Sequence, residues 1–302
     1  MLDPGRKIRG RGLKGAFVQV VSFMNMKGGV GKTTLAVNVA YGLAYMHKKN
    51  VLVVDGDPQF NATQYLLEDN VYLGHLNDNK NGTLRDIFVP RRPGPVSTVA
   101  GSSKHVNKTK MALSACTLSI LKGSAGGGKL DLIPSTLQLM DIETSKRLTE
   151  TKLKSYLQEK ATGYDYVIID CPPTISIFTQ AAILASSKYL VPVKPDPLSV
   201  IGLPLLERWL EDYTDDAGMQ VKSVGIVFTL VRGPLPRRMR DVMTDLRAQR
   251  KDEVFTNHLS ESTDVAESVE AHRPVFLFRE KGKTAQQTLN ITDEFLTRTS
   301  GD

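Results

Sequence analysis

Thiols are scarce in this sequence: Cys116 and Cys171 are the only cysteines among 302 residues. They stand far apart with no metal-ligand spacing, which argues against a disulfide framework or zinc centre and fits a reducing compartment. Long apolar runs are also missing. No stretch approaches the roughly 20 residues that a membrane-spanning helix needs, and the apolar run after the basic start MLDPGRKIRGRGLKG is too short for a cleaved leader. Acidic residues are absent between Ile87 and Leu130, where seven Lys or Arg occur. The end, DEFLTRTSGD, is short and mixed in charge. It lacks the basic, bulky amphipathic character that holds a helix on a bilayer, so no stable membrane association is expected.

The charge balance is basic, +7 overall, which attracts polyanions but says nothing of fold. Besides the acid-free stretch, Arg232, Arg237, Arg238 and Arg240 form one cluster, and Arg273, Arg279, Lys281 and Lys283 another. A single cluster serves solubility as readily as binding. Three together favour a polyanionic partner.

Short apolar, β-branched runs recur: AFVQVVSF (16–23), NVLVVD (50–55), LDLIP (130–134), YDYVIID (164–170), YLVPV (189–193) and VGIVFTLV (224–231). Runs of this kind suit strands buried on both faces of a parallel sheet. Helix-length segments lie between them at 33–47, 143–160, 176–187, 200–213, 237–250 and 284–298. The alternation predicts an α/β fold, a single doubly wound, mostly parallel sheet with helices on both faces. Residues 1–15 read as a loose basic arm and 16–302 as one domain. Residues 90–128, rich in Pro, Gly and Ser, read as a mobile basic insertion within it.

One stretch carries chemistry. VQVVSFMNMKGGVGKTTLAVNVA (18–40) runs strand, glycine turn, helix, the context in which backbone amides and a helix N-terminus converge on a phosphate. Gly28, Gly29, Val30 and Gly31 then form a loop for ATP. Lys32 reaches the β- and γ-phosphates, the Thr33 hydroxyl ligates Mg²⁺, and Thr34 completes the set. The loop departs from the plain G-x-x-x-x-G-K-[ST] form, because Met26 stands where the first glycine belongs and Lys27 follows it. Lys27 cannot easily duplicate Lys32, since both would crowd one phosphate. It can reach outward to a nucleotide held by a second subunit, which predicts a homodimer with ATP at its interface. Asp55 and Asp57 alternate at a strand end, one carboxylate available to the Mg²⁺ shell and one to the attacking water. Asp170 ends another strand at the edge where open α/β sheets bind ligands. A lone Asp there is usually a cap or turn former, but three around one glycine loop favour a site.

KGGVGKTT resembles the deviant Walker A box of the ParA/MinD group of P-loop ATPases. VLVVDGDPQFNATQYL (51–66) is similar to the group's second motif, and YDYVIIDCPP (164–173) to its Walker B strand. YLVPVKPDPLSVIGLPLL (189–206), SVGIVFTLV (223–231) and PVFLFREKGKTAQQTLNITDEF (274–295) extend the likeness over 16–298, with 90–128 unmatched. The resemblance implies ATP sandwiched between two subunits, with Lys27 crossing to the partner's phosphates. It assigns catalysis to Lys27, Lys32 and Asp57, the last positioning or activating water, and places Thr33, Asp55 and Asp170 around Mg²⁺. Such catalysis is mostly positioning and charge neutralisation.

Within the group, an iron–sulfur relative needs paired cysteines, which Cys116 and Cys171 do not supply. A tyrosine kinase of the superfamily would carry a tyrosine-rich tail, and none is present. The surviving resemblance is to ParA-type partition ATPases without an N-terminal helix-turn-helix domain. It implies a slow ATPase that binds double-stranded DNA non-specifically as an ATP dimer and leaves it when a ParB-type adaptor stimulates hydrolysis. Such a protein is cytoplasmic, associates with the nucleoid, and segregates plasmid, chromosome or other cargo. Candidates for DNA contacts, on charge and approximate position, are Arg232, Arg237, Arg238, Arg240, Arg273, Lys281 and Lys283. The helix PRRMRDVMTDLRAQR (236–250) reads equally as an ordinary solvated helix. Two alternatives stay open: a nucleotide-dependent scaffold positioning a protein cargo or microcompartment on the nucleoid, and a regulator that senses nucleotide without hydrolysing it.

Overall fold

The computed structural model describes residues 18–89, 111–123, 127–142 and 150–300. One sheet holds β1 (Gln19–Phe23), β2 (Val51–Asp55), β3 (Leu118–Leu121), β4 (Leu130–Ile133), β5 (Tyr166–Asp170), β6 (Lys188–Val193) and β7 (Lys222–Phe228). Across the sheet the order is β3-β4-β2-β5-β1-β6-β7, parallel throughout except for β3 with β4. The helices are α1 (Lys32–Tyr45), α2 (Asn61–Leu66), α3 (Asp69–Asn77), α4 (Leu84–Phe88), α5 (Leu113–Cys116) and α6 (Thr151–Lys160). They continue with α7 (Ile177–Ala185), α8 (Pro197–Asp216), α9 (Arg237–Gln249), α10 (Thr263–Glu270), α11 (Val275–Phe278) and α12 (Lys283–Thr299).

β2 and β5 are buried along their whole length, which is why their sequences are unbroken apolar runs. Their alternate side chains enter two different cores. Leu52, Val54, Val167 and Ile169 pack with Tyr156 of α6, Phe178 of α7 and Leu203 of α8. Val51, Val53, Tyr166 and Ile168 pack with Leu35 and Leu43 of α1 and Phe295 of α12. Register then sets the site. Phe23 and Asp55 both pair with Asp170, so β1, β2 and β5 end level with one another. The chain passes from β1 to β2 on one side and from β5 to β6 on the other, and a crevice opens at such a switch in strand order.

The parallel sheet and its long helices match the sequence reading. β3 does not appear in it: this strand lies inside 90–128 and pairs antiparallel with β4, its register shifting between Ser119 and Leu121. Four residues, three half-buried and one exposed, carry too weak a period to stand out. Residues 90–110 and 124–126 of that segment, and the arm 1–15, lie outside the described residues. Also unanticipated are α2, α3, α4, α10 and α11, none longer than nine residues. On the far side β7 is paired beyond its own strand. Ile226 exchanges backbone bonds with Glu253 and Phe255, both 2.8 Å, and Val231 does the same with Leu259 and Glu261.

Candidate nucleotide site

The glycine loop leaves β1 and enters α1, pinned from two strands. Asn25 donates its side-chain amide to the Pro192 carbonyl of β6 at 2.7 Å, and Thr229, just past β7, donates its hydroxyl to the Val30 carbonyl at 2.6 Å. Gly29 and Gly31 have φ of 69° and 77°, left-handed values that residues with a Cβ rarely adopt. Gly31 caps α1 without a side chain, so the first amides of that helix remain available to an anion. Between loop and α2 lies a cleft of about 340 Å³. Gly28 through Thr34 and Asp57 line it, as expected, and so do Asn61, Gln64, Tyr65, Pro173 and Val269, which the sequence reading assigned no role. Asn61 was within reach, because it stands inside the quoted DPQFNAT motif.

Lys32 is buried and donates to the Lys27 carbonyl at 3.0 Å. Desolvation holds its pKa below the usual lysine value, while Asp170 pulls it up. Asp170 is fully buried, and neither carboxylate oxygen makes a hydrogen bond of good geometry. Burial pushes its pKa up to about 8 and Asp55 adds to the rise. The nearby Thr33 hydroxyl and Lys32 draw it back. Orphaned buried carboxylates are rare and costly. This one fits Mg²⁺, which proteins hold through one or two carboxylates and the substrate's own phosphates. Among the described residues no group of three or more His, Cys, Asp or Glu gathers to hold an ion unaided.

Asp55, expected in the Mg²⁺ shell, is engaged within its own chain. Its carboxylate accepts the Thr63 amide at 2.8 Å, the Thr63 hydroxyl at 2.7 Å and the Asp57 amide at 3.2 Å. Burial still lifts its pKa to about 7, against the Thr63 bonds. Asp55 thus anchors α2 to β2 and, like Asp170, does not itself line the cleft. Asp57 is on that wall, with one oxygen accepting the Gln59 amide at 2.9 Å and its carbonyl accepting the Ser135 hydroxyl at 2.7 Å.

Lys27 turns away from the cleft in its own chain. Its ammonium donates to both oxygens of Asp196, at 2.9 and 3.1 Å, and to the Ser199 hydroxyl at 2.9 Å. Asp196 is the N-cap of α8. Desolvation works to raise its pKa, but the Lys27 and Ser199 bonds outweigh it and hold the carboxyl below its ordinary range.

The basic residues divide. Arg232, a DNA-contact candidate, gives its guanidinium to Glu261, which cancels the charge that recommended it, and Arg279 is engaged by Asp264 and Glu267. Arg237, Arg238 and Arg240 are exposed on α9, whose buried residues are Met239, Met243 and Leu246. Lys281 and Lys283 are exposed at the start of α12, and Arg273 is exposed between α10 and α11. His258 has its pKa held below the usual histidine value by burial, with Arg247 of α9 and Lys283 of α12 adding to the effect.

The orphaned carboxylate supports a stability prediction. Its pKa is raised from 3.8 to about 8 on folding, so the stability tied to its protonated form is complete below pH 4 and is lost as pH climbs through 8. Asp170→Asn mimics the protonated carboxyl. The variant should melt above the parent at both pH 5 and pH 9, and by clearly more at pH 9, with ~2–4 °C for each kcal/mol of relieved burial. Melting curves at the two pH values check it, and a parent that is the more stable at pH 9 would refute the assignment.

Comparison with known proteins adds a family. The profile of a family described as an AAA domain matches residues 18–222. Sporulation initiation inhibitor protein Soj of Bacillus subtilis is 27% identical over 279 residues, spanning 91% of this chain and 97% of its own. Chromosome partitioning protein ParA of Caulobacter vibrioides is 28% identical over 290 residues, spanning 93% and 95%. In fold, the chain is similar to a plasmid partition protein of Borrelia burgdorferi solved with AMPPNP bound. The TM-score is 0.69, over 93% of this chain and 98% of that one, at 21% identity. Loop geometry, sheet order and relatives converge, and the chain belongs to the ParA-type P-loop ATPases.

Proposed function

We propose that this protein is a positioning ATPase that passes between a monomer and an ATP-bridged homodimer, holds double-stranded DNA without sequence preference in the ATP state, and leaves it on hydrolysis. The observation that carries the reading is the cleft, where the α1 amides and Lys32 face outward in front of an orphaned Asp170. The loop amides and Lys32 take the β- and γ-phosphates. Thr33, with Asp170 behind it, would hold Mg²⁺, which when bound neutralises phosphate charge. Asp57, on the cleft wall, orients the attacking water. Lys27 of the partner subunit brings a second cation to the γ-phosphate. An exposed apolar stripe beside Asp196 favours a second copy: Leu198, Ile201 and Leu205 of α8 are 75%, 65% and 64% exposed, at the spacing of one helix face. A ParB-type adaptor would then set the hydrolysis rate and supply the cargo, with the nucleoid as the track.

The test is sizing with ATP or ADP, together with binding to arbitrary duplex DNA. Dimer and DNA affinity should both require ATP, and affinity should fall steeply with salt. Arg237 is 94% exposed and no closer than 3.9 Å to Asp241. Arg237→Glu with Arg238→Glu should therefore leave the fold intact and weaken binding to every sequence alike. Each lost phosphate contact should lower the log–log salt slope by about one unit. A protein that stays monomeric in ATP, or one that strongly prefers a single sequence, contradicts the reading.

A further inference from the structure

The partner of Lys27 within its own chain is fixed in advance at both ends. Asp196 stands between Pro195 and Pro197, whose rings restrict the backbone on either side. Its carboxylate is locked by the Ser199 amide at 2.9 Å and the Ser199 hydroxyl at 2.8 Å. On the other side the Lys27 amide is tied to the Asn25 side chain at 2.9 Å, and the Lys27 carbonyl to Lys32 at 3.0 Å. The carboxylate and the Lys27 backbone are held before the pair forms, and the ammonium meets three acceptors at once. The pair is also open to exchange, since the two side chains are 40% and 28% exposed.

We propose that Asp196 and Ser199 act as a latch on dimerisation, holding Lys27 in its own chain until it is given up to a phosphate across the interface. The inference rests on the ATP-dimer reading and adds its regulation. The latch sits at the end of α8 that carries Leu198, Ile201 and Leu205, so covering that stripe and releasing the lysine occur at the same place. A partly exposed ion pair of this kind changes an equilibrium by about threefold. Each dimer opens two latches, so their removal should tighten dimerisation by about tenfold.

Asp196→Asn is the discriminating variant, because asparagine caps a helix as well as aspartate does and only the charge is lost. Two readouts are needed. Trace acetylation followed by mass spectrometry, without ATP, should show Lys27 reacting severalfold faster in the variant. Light scattering in ATP should show half-maximal dimerisation at about tenfold lower protein concentration, with Lys27→Ala as the monomeric reference. Unchanged acetylation overturns the latch, and so does faster acetylation with dimerisation at or below the parent level. A parent that stays monomeric in ATP overturns the dimer reading and the latch with it, while acetylation separately decides whether the tether exists.

Discussion

Lys32→Ala should abolish measurable ATP binding, weakening it by at least ~100-fold. Among the residues that line the cleft Lys32 is the sole cation, and it is buried, so its charge is little screened by solvent. A charge-assisted hydrogen bond contributes about 1.5–3 kcal/mol, and this ammonium is placed to serve two phosphates. Its loss also leaves the Asp57 carboxylate on the cleft wall without a nearby cation as the polyanion arrives. The side chain ties the loop as well, through the Lys27 carbonyl, so the melting curve must be recorded alongside. Equilibrium titration with a fluorescent ATP analogue checks the result. Affinity within about twofold of the parent would remove the phosphate role from Lys32 and undermine the loop as a nucleotide site.

Asp57→Ala should bind ATP and Mg²⁺ almost normally yet hydrolyse about 10²–10⁴-fold more slowly, the usual effect of losing a positioned general base. Slow hydrolysis should accumulate the ATP dimer and hold the protein on DNA. Asp55→Ala should fail differently. It strands the Thr63 amide and hydroxyl that Asp55 now receives, at about 1–3 kcal/mol, so its mark is a lowered melting temperature before any change in rate. Single-turnover hydrolysis paired with sizing in ATP separates the two. Parent-like hydrolysis by the Asp57 variant would show that another group orients the water.

The contrast between these aspartates marks where sequence stopped informing. The glycine loop was readable because its determinants lie together: a strand, glycines able to adopt positive φ, and a lysine entering a helix. Asp170 was readable because four buried residues of an apolar strand lead up to it. Asp55 and Asp57 are alike in sequence, both carboxylates at alternate positions after an apolar run. Thr63, eight residues on, captures the first and leaves the second facing the cleft. The partner of Lys27 lay further off still. The prolines around Asp196 and the serine three residues later announce a helix start, but nothing local says that a lysine 169 residues away will fold against it. Arg232 drew attention by its charge, and Glu261, which cancels it, belongs to another segment.

Both margins of the sheet offer little to an incoming strand. Residues 253–261 already take the backbone bonds of Ile226 and Val231 beside β7, and β3 on the opposite side is four residues long with a broken register. Sheets grow by addition along long, regular edges. If copies of this protein gather along DNA as proposed above, they would meet through helix faces and loops, where contact depends on charge and shape that the nucleotide state can alter. A backbone ladder between copies would persist whatever nucleotide was bound. Blunted edges of this kind disfavour growth of a fibre by strand addition.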